Sequence, residues 1–67
     1  MTIFGKRLKE LRTDKKISQN ALSKEIGISQ AAINKWEKGL IVPTIDSAAL
    51  VAKFFNVSID YLAGLEN

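Results

Sequence analysis

The sequence predicts an all-α fold, a compact bundle of five short helices, and three observations predict it. Apolar residues recur at helical spacing along most of the chain, as Phe4, Leu8 and Leu11 do at i, i+4 and i+7. Ser or Thr precedes four of the apolar stripes, at Ser18, Ser29, Thr44 and Ser58, and Gly or Asn follows them, at Gly27, Gly39, Asn56 and Gly64. That pairing is the punctuation of helix starts and stops, because a side-chain oxygen satisfies the free N–H groups of a first turn and Gly or Asn accepts the left-handed conformation that ends a last one. Finally, the β-branched residues never fall into the strict alternation of a half-buried strand.

Each element follows in order. In the first helix Phe4, Leu8 and Leu11 make the inward stripe, Lys6, Arg7, Lys9 and Glu10 take the other faces, and polar Thr13 to Lys16 breaks the pattern. The second helix, about residues 18–25, starts at Ser18, carries Leu22 and Ile26 inward and stops at Gly27. The third, about residues 29–38, starts only two residues later at Ser29, with Ile33 and Trp36 inward and Gly39 as its stop. Gly39-Leu40-Ile41-Val42-Pro43 is a connector, Val42 being biased toward extended backbone by Pro43. Thr44 caps the fourth helix, whose expected buried face is Ile45, Ala48, Ala49, Val51, Ala52 and Phe55. Ser58 opens the fifth, with Ile59 and Leu62 inward and Gly64 closing it.

Composition bounds the function. The 67 residues make one domain, 1–67, and a chain this short buries only about 60% of its unfolded surface, so stability is marginal. There is no Cys to form a disulfide or hold a metal, and no His to serve as ligand or general base. No metal, cofactor or small-molecule substrate is expected, and no nucleophile–base pair points to an enzyme. No apolar run approaches the roughly 20 residues that span a bilayer, and the N-terminal residues lack a secretory apolar core, so no membrane partner is expected and the location is cytoplasmic. Charge is divided unevenly. Residues 1–38 hold nine Lys or Arg against four acids, net +5, whereas residues 39–67 hold one Lys against three acids, net −2. The first part suits a polyanion; a solvated basic face is the plainer reading of the same charges.

The spacing from Gln19 to Trp36 adds geometry to charge. Two short helices flank a turn containing Gly27, the layout of a helix-turn-helix. With Leu22, Ile26, Ile28, Ile33 and Trp36 inward, Gln30, Ala31, Asn34, Lys35 and Lys38 face out. Gln30 and Asn34 can pair with an adenine edge, Lys35 with guanine O6 and N7, and Ala31 with a thymine methyl. Equally, any exposed helix face is polar, and Asn34 and Lys35 read as plain solvent residues too. The second helix start, Ser18 and Gln19, offers N–H groups and a positive dipole end to a phosphate, and so does Ser29 at the start of the third. Lys38 and the loop before Thr44 would hold the backbone across the groove. Arg12 and Glu37 each follow a stripe residue, which suggests a partly buried ion pair between first and third helices; two exposed charges worth about 0–1 kcal/mol are the alternative.

At this point the chain resembles the Cro/lambda-repressor type of helix-turn-helix domain, the XRE family. The matching text is Arg7-Leu8-Lys9-Glu10-Leu11-Arg12, Ile17-Ser18-Gln19, Leu22, Ile26-Gly27-Ile28-Ser29, Ile33, Trp36-Glu37-Lys38-Gly39, Pro43, Ala52 to Ser58 and Asp60-Tyr61-Leu62. The resemblance implies a lambda-repressor-like five-helix bundle, a third helix in the major groove and dimers on operator half-sites. It also implies a phosphate contact for Gln19, base-facing roles for Gln30, Ala31 and Lys35, and an Arg12–Glu37 pair. Three residues depart from the family's habit: Ser23 where Ala is usual, whose hydroxyl needs a carbonyl partner; Ala48 where Leu is common; and Leu50 where a charge is common. Leu50 is either part of a dimer surface with Val57, Ile59 or Leu65, or a harmless exposed residue.

The expected function is sequence-specific binding of double-stranded DNA by a transcription regulator, a repressor acting as a homodimer on a palindromic operator. The alternative is a protein-interaction module such as an antitoxin that also binds DNA, its partner seated around Leu50 to Leu65.

Overall fold

A computed structural model of the chain describes residues 2–66; Met1 and Asn67, which complete the expected 1–67 domain, lie outside it. The order is α1 (Thr2–Asp14), α2 (Gln19–Ile26), α3 (Gln30–Glu37), α4 (Ile45–Phe55) and α5 (Ile59–Ala63), with no strand among the described residues. The four capping residues act as their chemistry dictates. Ser18, Ser29, Thr44 and Ser58 are all extended, and each side-chain oxygen accepts the backbone N–H three residues on. Losing the Ser18 cap by Ser18→Ala is expected to cost about 1 kcal/mol, read as a lowered denaturant midpoint.

The helices close over one core. Phe4 and Leu8 of α1, Leu22 of α2, Ile33 and Trp36 of α3, Val51 and Phe55 of α4 and Leu62 of α5 are all buried. The rings of Phe4 and Trp36 meet edge to face, centroids 5.8 Å apart at 88°, a favoured arrangement of their quadrupoles. α1 packs on α3 and α5, and α2 packs on α3 and α4. α1 comes directly against the α3 backbone at Gly5, which is buried. A Cβ built there would overlap the Trp36 carbonyl oxygen and stand 3.0 Å from Glu37 Cα.

Three expected core positions are corrected. On α4, Ile45 is 75% exposed and Ala49 is exposed too. The helix turns Ala48, Val51, Ala52 and Phe55 inward, an i, i+3, i+4, i+7 seam, so the Ile45–Ala49 row points away. Ile59 lies at the surface, leaving Leu62 as the buried anchor of α5. α1 ends at Asp14, within the polar stretch Thr13 to Lys16 where the apolar pattern breaks, and Lys16 then turns the chain at φ 58°. Arg7, off the inward stripe, lies over the Tyr61 ring, 4.4 Å from its centroid, and its Nη1 donates to the carbonyls of Tyr61 and Glu66, each at 2.6 Å. It ties the chain after α5 back to α1. Of the departures, Ser23 finds its carbonyl, donating to Asn20 O at 2.7 Å, Ala48 is buried, and Leu50 is exposed.

Candidate nucleic-acid interface

The interface is built on α2, its turn and α3. α2 ends because Gly27 enters the left-handed region (φ 71°, ψ 27°), a conformation that costs a Gly little. The N–H groups of Gly27 and Ile28 both return to the Ser23 carbonyl, at 2.9 and 3.2 Å. This satisfies the helix end and releases the chain directly into the Ser29 cap. The turn is therefore short, and Leu22 and Ile33, both fully buried, hold the two helices at one angle.

On this frame Gln30, Ala31 and Lys35 are exposed on α3, and Lys38 is exposed at its C-terminal end. Ile33 and Trp36 are buried on the opposite face, so the outward stripe is polar and basic while the inward one is apolar. Asn34 stands apart from the other expected readers. It is half-buried, and its Nδ2 donates to Gln19 Oε1 at 3.3 Å.

Apart from Lys38 at the end of α3, the expected phosphate contacts are distributed over three helix starts. The Ser18 and Ser29 hydroxyl oxygens accept from Ala21 N and Ala32 N at 3.0 and 3.1 Å. Both residues remain exposed. Thr44 is more heavily used: its oxygen accepts from Ser47 N and its proton goes to Ser47 Oγ, both at 3.1 Å. Gln19, the first residue of α2, is half-buried and reaches inward, its Nε2 donating to Glu37 Oε1 at 3.1 Å.

Glu37 is the hub. Arg12 meets it with two parallel bonds, Nε to Oε2 at 2.8 Å and Nη2 to Oε1 at 2.9 Å, the fork geometry that makes Arg–carboxylate pairs strong. The side chains are 16% and 5% exposed, so the pair is partly buried, with the Glu37 carboxylate the deeper end, rather than a surface bridge. Arg12 Nη1 also donates to the Ile17 carbonyl at 3.0 Å, which fastens the turn between α1 and α2. The hydrogen bonds to Glu37 push the Arg12 guanidinium above its ordinary value against the opposing cost of desolvation. The sign follows from linkage: a raised folded-state value gives stability that is fully present below the ordinary arginine range and is lost only at pH above it. Among the described residues, no buried side-chain nitrogen or oxygen is left without a partner.

Sequence periodicity located the ion pair but missed the two amides that extend it. Gln19 reads as a phosphate contact and Asn34 as an exposed reader because helical spacing carries no information about a bond between α2 and α3. The only signal was their polarity beside the Glu37 hub. Gly5 carried a weak signal, an isolated Gly inside a helical pattern.

Comparisons with known proteins agree with this geometry. A family model described as helix-turn-helix matches residues 8–62. The chain is 41% identical over 59 residues to the HTH-type transcriptional activator BcrR of Enterococcus faecalis, covering 88% of this chain and 29% of that protein. It is 35% identical over 60 residues to repressor protein C2 of Salmonella phage P22, covering 90% and 28%. The chain thus spans less than a third of either relative. The crystal structure of the P22 c2 repressor in complex with a synthetic operator superposes with a TM-score of 0.88 at 33% identity, over 94% of this chain and 96% of that one. No described helix is long and apolar enough to cross a membrane. With its residues 8–62 matched and its bundle reproduced, the chain belongs to the helix-turn-helix family of the Cro/lambda-repressor, or XRE, type.

Proposed function

We propose that this chain binds double-stranded DNA with sequence preference, as the DNA-binding domain of a transcription regulator that represses by occupying a palindromic operator as a homodimer. The observation that carries the reading is the exposed set Gln30, Ala31 and Lys35 on α3, held outward by buried Ile33 and Trp36. The likeness to a repressor crystallised on its operator supports it. In this reading α3 enters the major groove. Gln30 and Lys35 supply donors and acceptors to base edges, and Ala31 permits close approach to a thymine methyl. Ser18, Gln19 and Ser29 place the starts of α2 and α3 against phosphates, with Lys38 and the start of α4 at Thr44 on the far side of the groove. The unequal charge, +5 in residues 1–38 against −2 in residues 39–67, supports approach by the α1–α3 side. Exposed Leu50, Ile59 and Leu65 offer apolar surface to a second copy.

Selection of bound duplexes from a random DNA pool tests the reading. The expected result is a palindromic consensus with half-sites about 10 bp apart, the spacing of a dimer on one face of the duplex. Binding without enrichment, or binding indifferent to salt, overturns it, since phosphate neutralisation releases counterions. Two substitutions separate the roles on α3. Lys35→Ala is expected to relax preference at one base pair, at about 1–3 kcal/mol. Lys38→Ala is expected to weaken binding evenly across sequences and to lower the salt slope by about one.

A further inference from the structure

We propose that Asn34 is a positioning residue for Gln19 and not a reader of bases. The inference rests on the DNA-binding reading above and deepens it at the same site. It starts from the direction of each hydrogen bond in the chain Arg12–Glu37–Gln19–Asn34. A guanidinium only donates and an ionised carboxylate only accepts. Glu37 Oε1 receives Arg12 Nη2 at 2.9 Å and Gln19 Nε2 at 3.1 Å. Gln19 must therefore turn its nitrogen toward Glu37, which leaves its oxygen on the other side. That oxygen is what Asn34 Nδ2 meets, at 3.3 Å. The ion pair thus dictates the orientation of both amides, one after the other, and neither can flip without setting oxygen against oxygen.

The consequence differs for the two residues. Gln19 is held at both ends, and the second hydrogen on its nitrogen is fixed in direction. A long Gln side chain loses rotamer freedom when ordered, and here that ordering precedes any contact with DNA. Asn34 is the outer of the two clamps. It is half-buried, one of its amide hydrogens is engaged, and Gln30, Ala31 and Lys35 are the more exposed residues of α3. Its effect on DNA passes through Gln19, whose place at the start of α2 faces backbone rather than base edges in the proposed docking. Losing Asn34 then weakens binding to every sequence alike. The salt dependence stays the same, because a neutral amide displaces no counterion.

The experiment is a double-mutant cycle of Asn34→Ala and Gln19→Ala. Affinity is measured for the duplex selected from the random pool and for each of its single-base-pair variants, at several salt concentrations. Asn34→Ala suits the test because Ala is the best helix former and the residue is only half-buried. The expected result is an even loss of about three- to tenfold across all duplexes, an unchanged salt slope, and no further loss when Asn34→Ala is added to Gln19→Ala. A change of preference at one base pair, or losses that multiply in the double variant, overturns the inference. The DNA-free protein supplies a second readout by NMR. The Gln19 side-chain amide protons are expected to show slow exchange in the wild type and to lose it in Asn34→Ala. Unmoved Gln19 protons overturn the inference even if the affinities fall. A wild-type chain that enriches no sequence overturns the DNA-binding reading itself, and this role with it.

Discussion

Arg12→Ala is expected to destabilise the domain by about 3–5 kcal/mol, because it strands a charge rather than merely deleting a bond. Glu37 is 5% exposed, and Arg12 supplies both ends of its carboxylate with donors. Without the guanidinium one neutral amide, Gln19 Nε2, remains to solvate a buried negative charge, and the Ile17 carbonyl loses its donor as well. In a domain of this size such a loss is a large fraction of total stability. Urea unfolding of Arg12→Ala against wild type measures it, and equal midpoints would show that the pair contributes nothing. The companion double variant Arg12→Met with Glu37→Leu is expected to recover part of the loss, since it removes both charges together. Recovery should be incomplete, because Gln19 and Ile17 keep polar atoms that the pair satisfied. The ion pair's effect on DNA binding should follow through the same atoms. Glu37 orients Gln19, so a folded Glu37→Gln variant, whose amide can present either atom, is expected to bind all duplexes more weakly without changing preference.

Gly5→Ala carries the second large effect, and here two principles give opposite signs. Helix propensity favours Ala over Gly by about 1 kcal/mol in a helix interior, and Gly5 lies within α1. Packing says the reverse. The new Cβ would overlap the Trp36 carbonyl oxygen and sit 3.0 and 3.1 Å from Glu37 Cα and O, which are backbone atoms with no rotamer to yield. α1 and α3 must separate, and Trp36, Phe4 and the Arg12–Glu37 pair all span that contact. The clash wins: a net loss of about 3 kcal/mol is expected, at the upper end of overpacking costs. In a domain this small that lowers the melting temperature by about 12–24 °C. A thermal scan of Gly5→Ala that matches or exceeds wild type would mean that α1 can shift without penalty.

The helices and their ends were legible in the residues alone. Ser18, Ser29, Thr44 and Ser58 cap because an oxygen three residues from an N–H needs only its own stretch of chain. Gly27 and Asn56 stop helices because positive φ is a property of the residue. The α3 stripe was legible for the same reason: buried Ile33 and Trp36 at i, i+3 put Ala31 and Lys35 on the far face, where they are exposed, although Asn34 on that face is half-buried against α2. On α4 the same reasoning overreached. Apolar residues surround much of that helix, and amphipathic spacing cannot choose between a seam through Ala48, Val51, Ala52 and Phe55 and one that includes Ile45 and Ala49.

What the fold alone decided involves contacts between residues distant in sequence. Arg7 meets Tyr61 across 54 positions, and Gly5 fits beneath Trp36 only because α1 crosses α3 there. Asn34 reaches Gln19 across the turn of the helix-turn-helix, 15 positions away. Periodicity assigns a side chain to a face but says nothing of which neighbour that face will meet, or of which atom of an amide must point where. Caps and stops are local and appear in the residues. Close approach, burial of a charge and the direction of a hydrogen-bond chain are properties of assembled helices, and they exist only once α1, α2 and α3 have packed.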